Sequence, residues 1–424
     1  MENKPILEIK EAYGMDALRF FQLCCASFHY TNEDLTKPNV AELLTKRDEE
    51  NRSYTVGENR TIFKRFCAYK DGQIIGGMTS KPYLSYFDGK PCAMSGIGGV
   101  ISDPETRRTG AVRAIFQEIF RDMRAQKQWL SHLYPFISEF YRKFGYEVSA
   151  DNMAWEIPAE YLPKADNTGI KRYIGSDEQK ADIKTVVNAC RSQYNMAICL
   201  DDHEWEVFFK GIEPYTASRF CYLHYDATGA PDGMIAYRMV AQPGDDPQMM
   251  DASHGVYYRD PAGLKALLAF AATLSNYFKT FRMELSAQAD VARVFPEMVG
   301  GWGKKNVKRS LTQKGLSRVI DVAEILKLAK YRGTGKVTLK ISDAYCDWND
   351  HTFTVDFSKD SVQVTVTDDA SPDMEMDIAA FTSLILGRYS MENWDYLPNV
   401  TLHGNEDDLR KVFYFKPLWI EEHF

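Results

Sequence analysis

The segment GIGGVISDPETRRTGAVRAIF, Gly96–Phe116, sets three glycines on an apolar run, two arginines in a turn and a fourth glycine at the mouth of an amphipathic stretch. Gly96, Gly98 and Gly99 lack side chains, so a strand built from them can bulge and offer backbone N–H groups to a ligand lying alongside. Past Asp103 and Pro104, the residues Val112, Ile115, Phe116, Ile119 and Met123 recur at three- and four-residue spacing. That periodicity predicts a helix with one buried face and Thr109 as its N-cap. The free amides of a helix N-terminus sit at the positive end of the macrodipole, and Arg107 and Arg108 add charge-assisted donors beside them. Strand, turn and helix in this order suit a pyrophosphate. The plainer alternative is a tight turn with two solvated arginines.

Outward from this segment the chain continues to alternate strands and helices. RFCAYK, QIIGGMTSKPYLSYF and KPCAMSGIGGVIS are separated by two Asp-Gly turns and predict an antiparallel meander. WLSHLYPF reads as a strand, SEFYRKFG as a short helix stopped by Gly145, and YEVSADNMAWEI as a closing strand. A first domain is expected over residues 1–155. IPAEYLPKADN, with two prolines, reads as a linker into a second unit over 156–312. There HGVYYRDPAGLKALLAFAATL repeats the order Gly-Val, Asp-Pro, glycine, helical run, without the arginine pair. Over residues 313–424, SRVIDVAEILKLAKY and MDIAAFTSLILGR read as helices, VTLKISDAYCDWNDHTFTVDF and SVQVTVTD as alternating strands. A third, α+β domain follows.

Composition narrows the class. With 45% hydrophobic and 26% charged residues over 424 positions, the chain is that of a folded protein of two or three domains. No apolar run reaches the roughly 18 residues of a bilayer span, and MENKPILEIKEAYG has no signal-peptide core, so a cytoplasmic protein without membrane partners is expected. The eight cysteines form no CxxC pair, and HEWEV at His203 lacks the second histidine of a zincin helix, so no metal is expected. A net charge of −8 argues against nucleic acid and leaves room for cationic substrates. The glycine spacing also argues against two other phosphate folds. GIGG runs into strand-like VIS instead of a helix, unlike the dinucleotide fingerprint, and no GK[ST] follows as in a P-loop.

The remaining order of strand, Arg-Arg-Thr-Gly turn and helix resembles the acyl-CoA site of the Gcn5-related N-acetyltransferase (GNAT) superfamily. Its Arg/Gln-x-x-Gly-x-Gly/Ala turn is read here as Arg107-Arg108-Thr109-Gly110-Ala111-Val112, with Val112 departing from the small last position. Over nearly the full length, GGMTSKPYLSYFDGKPCAMSGIGGVISDPETRRTGAVRAIF, FYRKFGYE, SRVIDVAEIL, DAYCDWND and the aromatic terminus are similar to the Eis (enhanced intracellular survival) family of N-acetyltransferases. That resemblance implies a mixed α/β and α+β fold, two tandem GNAT-like domains followed by one similar to sterol carrier protein 2 (SCP2), assembled as a homo-hexamer. It also implies acetyl-CoA as co-substrate and a small-molecule or peptide amine as acceptor: an aminoglycoside, a lysine-like amine or a peptide amine. Carried over by position, the backbone of Val100, Ile101 and Ser102 flanks the pantetheine and thioester. Arg108, Thr109, Gly110, Ala111, Val112 and Arg113 wrap the pyrophosphate, and Phe136 and Ile137 line the other wall of the thiol channel. Arg107 is added on electrostatic grounds.

Two proton transfers accompany such a reaction. A lysine-like amine of pKa about 10.4 must lose a proton near pH 7, and a thiolate of conjugate pKa about 8.5 leaves more easily if protonated. By the resemblance, Tyr141 in FYRKFGYE is the general acid and the terminal carboxylate of Phe424 the general base. VFYFKPLWIEEHF is apolar almost to its end, where most termini are polar and frayed, so the tail is expected to be docked. Desolvation there would raise an α-carboxyl from its ordinary value of about 3.3 to 3.7. Glu421 and Glu422 are alternative bases. Two other functions compete: a non-catalytic lipid- or acyl-CoA-binding protein using the SCP2-like domain, and a tandem-GNAT aminoacyl transferase. The latter needs a basic helical arm, and no dense basic run is present.

Overall fold

A computed structural model describes residues 7–52, 55–56, 59–60, 63–241, 248–289, 291–295, 306–359, 361–368 and 370–421. Among these, thirteen strands join in one sheet. Its first half runs Glu8–Glu11, Lys64–Lys70, Gln73–Phe87, Lys90–Ser102 and Leu130–Leu133 in spatial order. The second half runs Lys308–Val319, Glu147–Pro158, Thr280–Ser286, Met249–Asp251, Pro231–Val240, Phe220–Tyr225 and Ile170–Arg172, with Val256–Tyr258 also on Pro231–Val240. The antiparallel meander around the two Asp-Gly turns forms as the alternation predicts.

Strand Lys308–Val319 lies between Leu130–Leu133 and Glu147–Pro158 and is antiparallel to both, with Leu316 opposite Leu133 on one side and Val148 on the other. The first two units therefore share one sheet, and the boundaries expected after residues 155 and 312 fall inside the strands Glu147–Pro158 and Lys308–Val319. Two local readings change for the same reason. Ser317–Val319, read as helix, completes that strand, and the helix itself begins at Val322 with the Asp321 carboxylate accepting from the Glu324 N–H. Ladder bonds to Leu130, Ser131 and His132 outweigh the weak local preference. IPAEYLPKADN is likewise no free linker: Ile157, Tyr161 and Leu162 are buried with Phe281 and Leu285 in the core of the second unit.

Helix Ala111–Ala125 buries Ile115, Phe116, Ile119, Phe120 and Met123, as its spacing requires. The C-terminal part is a five-stranded sheet in the order Val362–Val366, Thr352–Phe357, Gly335–Ser342, Met374–Asp377, Val400–Leu402. Its apolar core, with Leu339, Phe353, Phe381 and Phe413, is continuous with Tyr83, Phe87, Met94 and Leu130 of the first unit. The end of the chain is docked. Leu418, Trp419 and Ile420 are buried, the backbone N–H of Trp419 donates to the Asn195 carbonyl, and the Ile420 carbonyl accepts from the Asn152 amide. Phe424, the expected base, lies outside the described residues, as do Glu422 and His423.

Candidate active site

The site begins where two parallel strands part. Lys90–Ser102 and Leu130–Leu133 pair from Met94 opposite Leu130 to Ile97 opposite Leu133 and no further. Beyond Ile97 the first strand keeps its antiparallel partner on the other side, with Gly99 and Val100 bulged against Met78. The chain after Leu133 leaves the sheet for the short helix Ser138–Arg142. Backbone N–H and C=O groups between Gly98 and Ser102 are thus left along an open edge.

The turn after this strand delivers the second element. Gly110, not Thr109, is the N-cap of helix Ala111–Ala125, and no side chain caps the first turn. Its φ is +87°, a left-handed value that costs an L-residue about 1–2 kcal/mol and glycine nothing. A Cβ there would meet nothing within 4 Å, so the requirement is conformational, not steric. The amides of the first turn have no intrahelical partner and no capping oxygen.

Edge and helix mouth open on one cavity of about 660 Å³. Val100, Ile101 and Ser102 form one side, the run Thr106–Arg113 the next, and Phe136, Phe140, Lys143, Phe144 and Tyr345 the opposite wall, with Ser27 and Phe28 at the margin. Among the described residues, Arg107, Arg108, Arg113 and Lys143 make no ion pair with any carboxylate, and no Asp or Glu lines the cavity. Four uncommitted cations beside uncapped amides make a site for a multiply charged anion.

Residues 8–149 match the family described as acetyltransferase (GNAT) domain, and residues 322–417 match the sterol carrier protein domain. The chain carries a GNAT acetyltransferase domain and a C-terminal SCP2 domain. Among solved structures, it is similar to a probable N-acyltransferase of unknown function from Enterococcus faecalis, 21% identical, with a TM-score of 0.78 over 99% of this chain and 100% of that one. A GCN5-related N-acetyltransferase from Anabaena variabilis is 16% identical, TM-score 0.78, over 98% and 99% of the two chains. Eis1 from Mycobacterium abscessus is 15% identical, TM-score 0.74, over 98% and 100%. These likenesses are of fold, and they span nearly the whole chain. No curated protein matches the chain in sequence.

Within the GNAT domain, the structure brings Val100, Ile101, Ser102, the whole run from Arg107 to Arg113, and Phe136 to one cavity. Ile137 and Tyr141 are not on its wall. Ile137 is exposed beside the mouth, whereas Tyr141 is buried behind Phe136 and Phe140, its ring 5.5 and 5.1 Å from theirs and 6.4 Å from Phe116. Burial pushes the Tyr141 phenol above the ordinary tyrosine range, so it holds its proton. Phe140, Lys143 and Phe144 escaped the sequence reading although they flank Tyr141 on the same short segment. Phe144 stacks on Phe116 with centroids 4.2 Å apart. Tyr345 escaped it for want of any local signal.

The repeat in the second unit ends differently. Helix Pro261–Thr273 is capped by Asp260, whose carboxylate accepts from the N–H groups of Ala262 and Gly263 at 3.0 and 3.2 Å. Arg259 is paired with Asp226 and Asp260. A side-chain anion thus occupies the place that the GNAT domain leaves open at Gly110. Glu421, the alternative base, is committed elsewhere: Arg191 and Tyr257 both donate to its Oε2 at 2.9 Å, in a separate cavity of about 260 Å³ that also includes His254 and Arg219.

Proposed function

We propose that this chain transfers the acetyl group of acetyl-CoA to the nitrogen of a small-molecule or peptide amine, with aminoglycosides and lysine-like amines as candidate acceptors. The observation that carries the reading is the juxtaposition of an open strand edge at Val100–Ser102 with the uncapped, cation-flanked helix mouth at Gly110. Residues of this type fit the two halves of the co-substrate. Backbone donors and acceptors along a strand edge match the amides of a pantetheine arm, and N–H groups with guanidinium side chains match a pyrophosphate. A net charge of −8 suits a cationic acceptor.

Acetyl-CoA supplies an acetyl group activated as a thioester and departs as the thiol. The first-turn amides, with Arg107, Arg108 and Arg113, hold its pyrophosphate. An N–H of the Val100–Ser102 edge polarises the acetyl carbonyl, and Phe136 on the opposite wall shields the sulfur from water, with Ile137 beside the mouth. The ammonium first gives one proton to the Phe424 carboxylate. The free amine nitrogen then takes the place of sulfur on the acetyl carbon. The Tyr141 phenol protonates the departing sulfur and recovers a proton from the acylated nitrogen, and the carboxylate returns its proton to solvent. The division into GNAT domain, degenerate GNAT-like unit and SCP2-like domain at residues 155 and 312 belongs to this reading, as does a cytoplasmic homo-hexamer. Light scattering measures the assembly. The test of function is release of free thiol from acetyl-CoA across a panel of amines. Release that depends on the amine is expected, and its absence with every amine, together with no calorimetric binding of acetyl-CoA, overturns the proposal.

A further inference from the structure

The acyl-donor cavity is not built by the GNAT domain alone. Tyr345, in the turn that follows strand Gly335–Ser342 of the SCP2 domain, lies on its wall. Its ring is half-buried, 5.1 Å from the ring of Phe144 and edge-on to Phe120 at 6.5 Å. A single carboxylate fixes both members of this wall. Asp343 Oδ1 accepts the N–H groups of Tyr345 and Cys346 at 3.1 and 3.2 Å, which holds the turn that presents the tyrosine. Asp343 Oδ2 accepts from Arg318 and from the Asn349 amide. The other arm of the Arg318 guanidinium donates to the Phe144 carbonyl. One ion pair therefore sets Tyr345 and Phe144 against each other. Lys143, the residue before Phe144, stands beside them with its ammonium unpaired among the described residues.

A wall of aromatic rings next to an uncommitted cation is the chemistry that grips a flat, phosphorylated carrier. We infer that the SCP2 domain is a coenzyme-binding element of this protein, with Tyr345 as a contact for coenzyme A and Asp343 and Arg318 as the residues that position it. The inference rests on the acetyl-CoA reading above and adds to it a role for the C-terminal domain that the GNAT turn does not contain.

Hydrogen exchange on the full chain, with and without saturating coenzyme A, separates the two claims. Slower exchange is expected in two places, the amides of residues 110–113 and those of 344–347. Slowing at 110–113 with no change at 344–347 overturns the inference and leaves the acetyl-CoA reading standing. No change at either place overturns both. The measurement uses the unaltered protein and does not depend on any variant folding. A second arm uses Tyr345→Ala, for which a roughly fivefold to tenfold rise in the coenzyme A dissociation constant is expected. Tyr345→Phe, which keeps the ring, should bind as the native chain does. Equal affinity in Tyr345→Ala and the native chain overturns the inference.

Discussion

The guanidinium of Arg318 and the carboxylate of Asp343 meet at 2.5 Å with both side chains fully shielded from solvent. The first belongs to the strand inserted into the large sheet and the second to the C-terminal domain. Burial works against the charge on Arg318, but Asp343 outweighs it and holds the guanidinium above its ordinary range. Gly145 permits this approach, since its φ is +79° and a Cβ there would overlap the guanidinium. Asp343→Asn keeps the shape and removes the counter-charge, leaving a buried cation unpaired at a cost of about 3–5 kcal/mol. A clear fall in melting temperature is expected in scanning calorimetry. An unchanged melting curve would show that the pair carries no such weight.

The contrast between Gly110 and Asp260 predicts a change of function from one carboxylate. Placing Asp at the helix mouth of the GNAT domain sets a negative charge where the pyrophosphate is held, as the second unit already does. Gly110→Asp should fold, because Asp tolerates a left-handed φ better than most residues. Acetyl-CoA affinity is expected to fall by at least about tenfold, given that charge at a helix end and a lost anion contact together exceed about 1.4 kcal/mol. Calorimetric titration measures it, and native-like affinity would sink the assignment.

Arg108→Gln and Arg113→Gln should each weaken acetyl-CoA binding by roughly tenfold to a hundredfold, the range expected for losing a hydrogen bond to a charged group. The Michaelis constant for acetyl-CoA should also rise with added salt, because Arg107 and Arg108 in the turn and Arg113 in the helix are all exposed and screened. A constant unaffected by salt between low and physiological ionic strength would contradict the electrostatic part of the argument.

Tyr141→Phe removes a proton donor and leaves the packing against Phe116, Phe136 and Phe140 intact. Turnover should drop by about a hundredfold or more with acetyl-CoA affinity unchanged. Burial raises the phenols of Tyr141, Tyr146 and Tyr194 alike. A group whose folded pKa is raised binds its proton more tightly in the native state. The resulting stability is therefore complete below the unfolded value of about 10 and is lost as pH rises through the folded values. Chemical denaturation should accordingly show constant tyrosine-linked stability up to pH 10 and a decline above it.

Extending the chain by a few residues beyond Phe424 converts the terminal carboxylate into a peptide bond. If that carboxylate is the base, turnover should collapse while acetyl-CoA binding persists, because the donor cavity is lined by other residues. Equal turnover in the native and extended chains would return the role to another group. Glu421 is a poor candidate, since Arg191 and Tyr257 already engage its carboxylate.

Periodicity and turn chemistry in the sequence by itself determined the meander, the helix after Gly110, the short helix stopped at Gly145 and a docked aromatic tail. Each of these depends on residues within about a dozen positions of one another, where hydrophobic spacing reports directly on which face is buried. The same holds for most of the donor cavity, because Val100 to Arg113 are consecutive along a strand, a turn and the start of a helix. Other features were decided only by tertiary structure. Lys308–Val319 inserts beside Leu130–Leu133, Asp343 reaches Arg318, and Tyr345 closes a wall opened more than two hundred residues earlier. No local pattern encodes them, because ladder partners, buried counter-ions and ring contacts are chosen by which surfaces meet once the elements have packed, and that choice depends on contacts far apart in the chain.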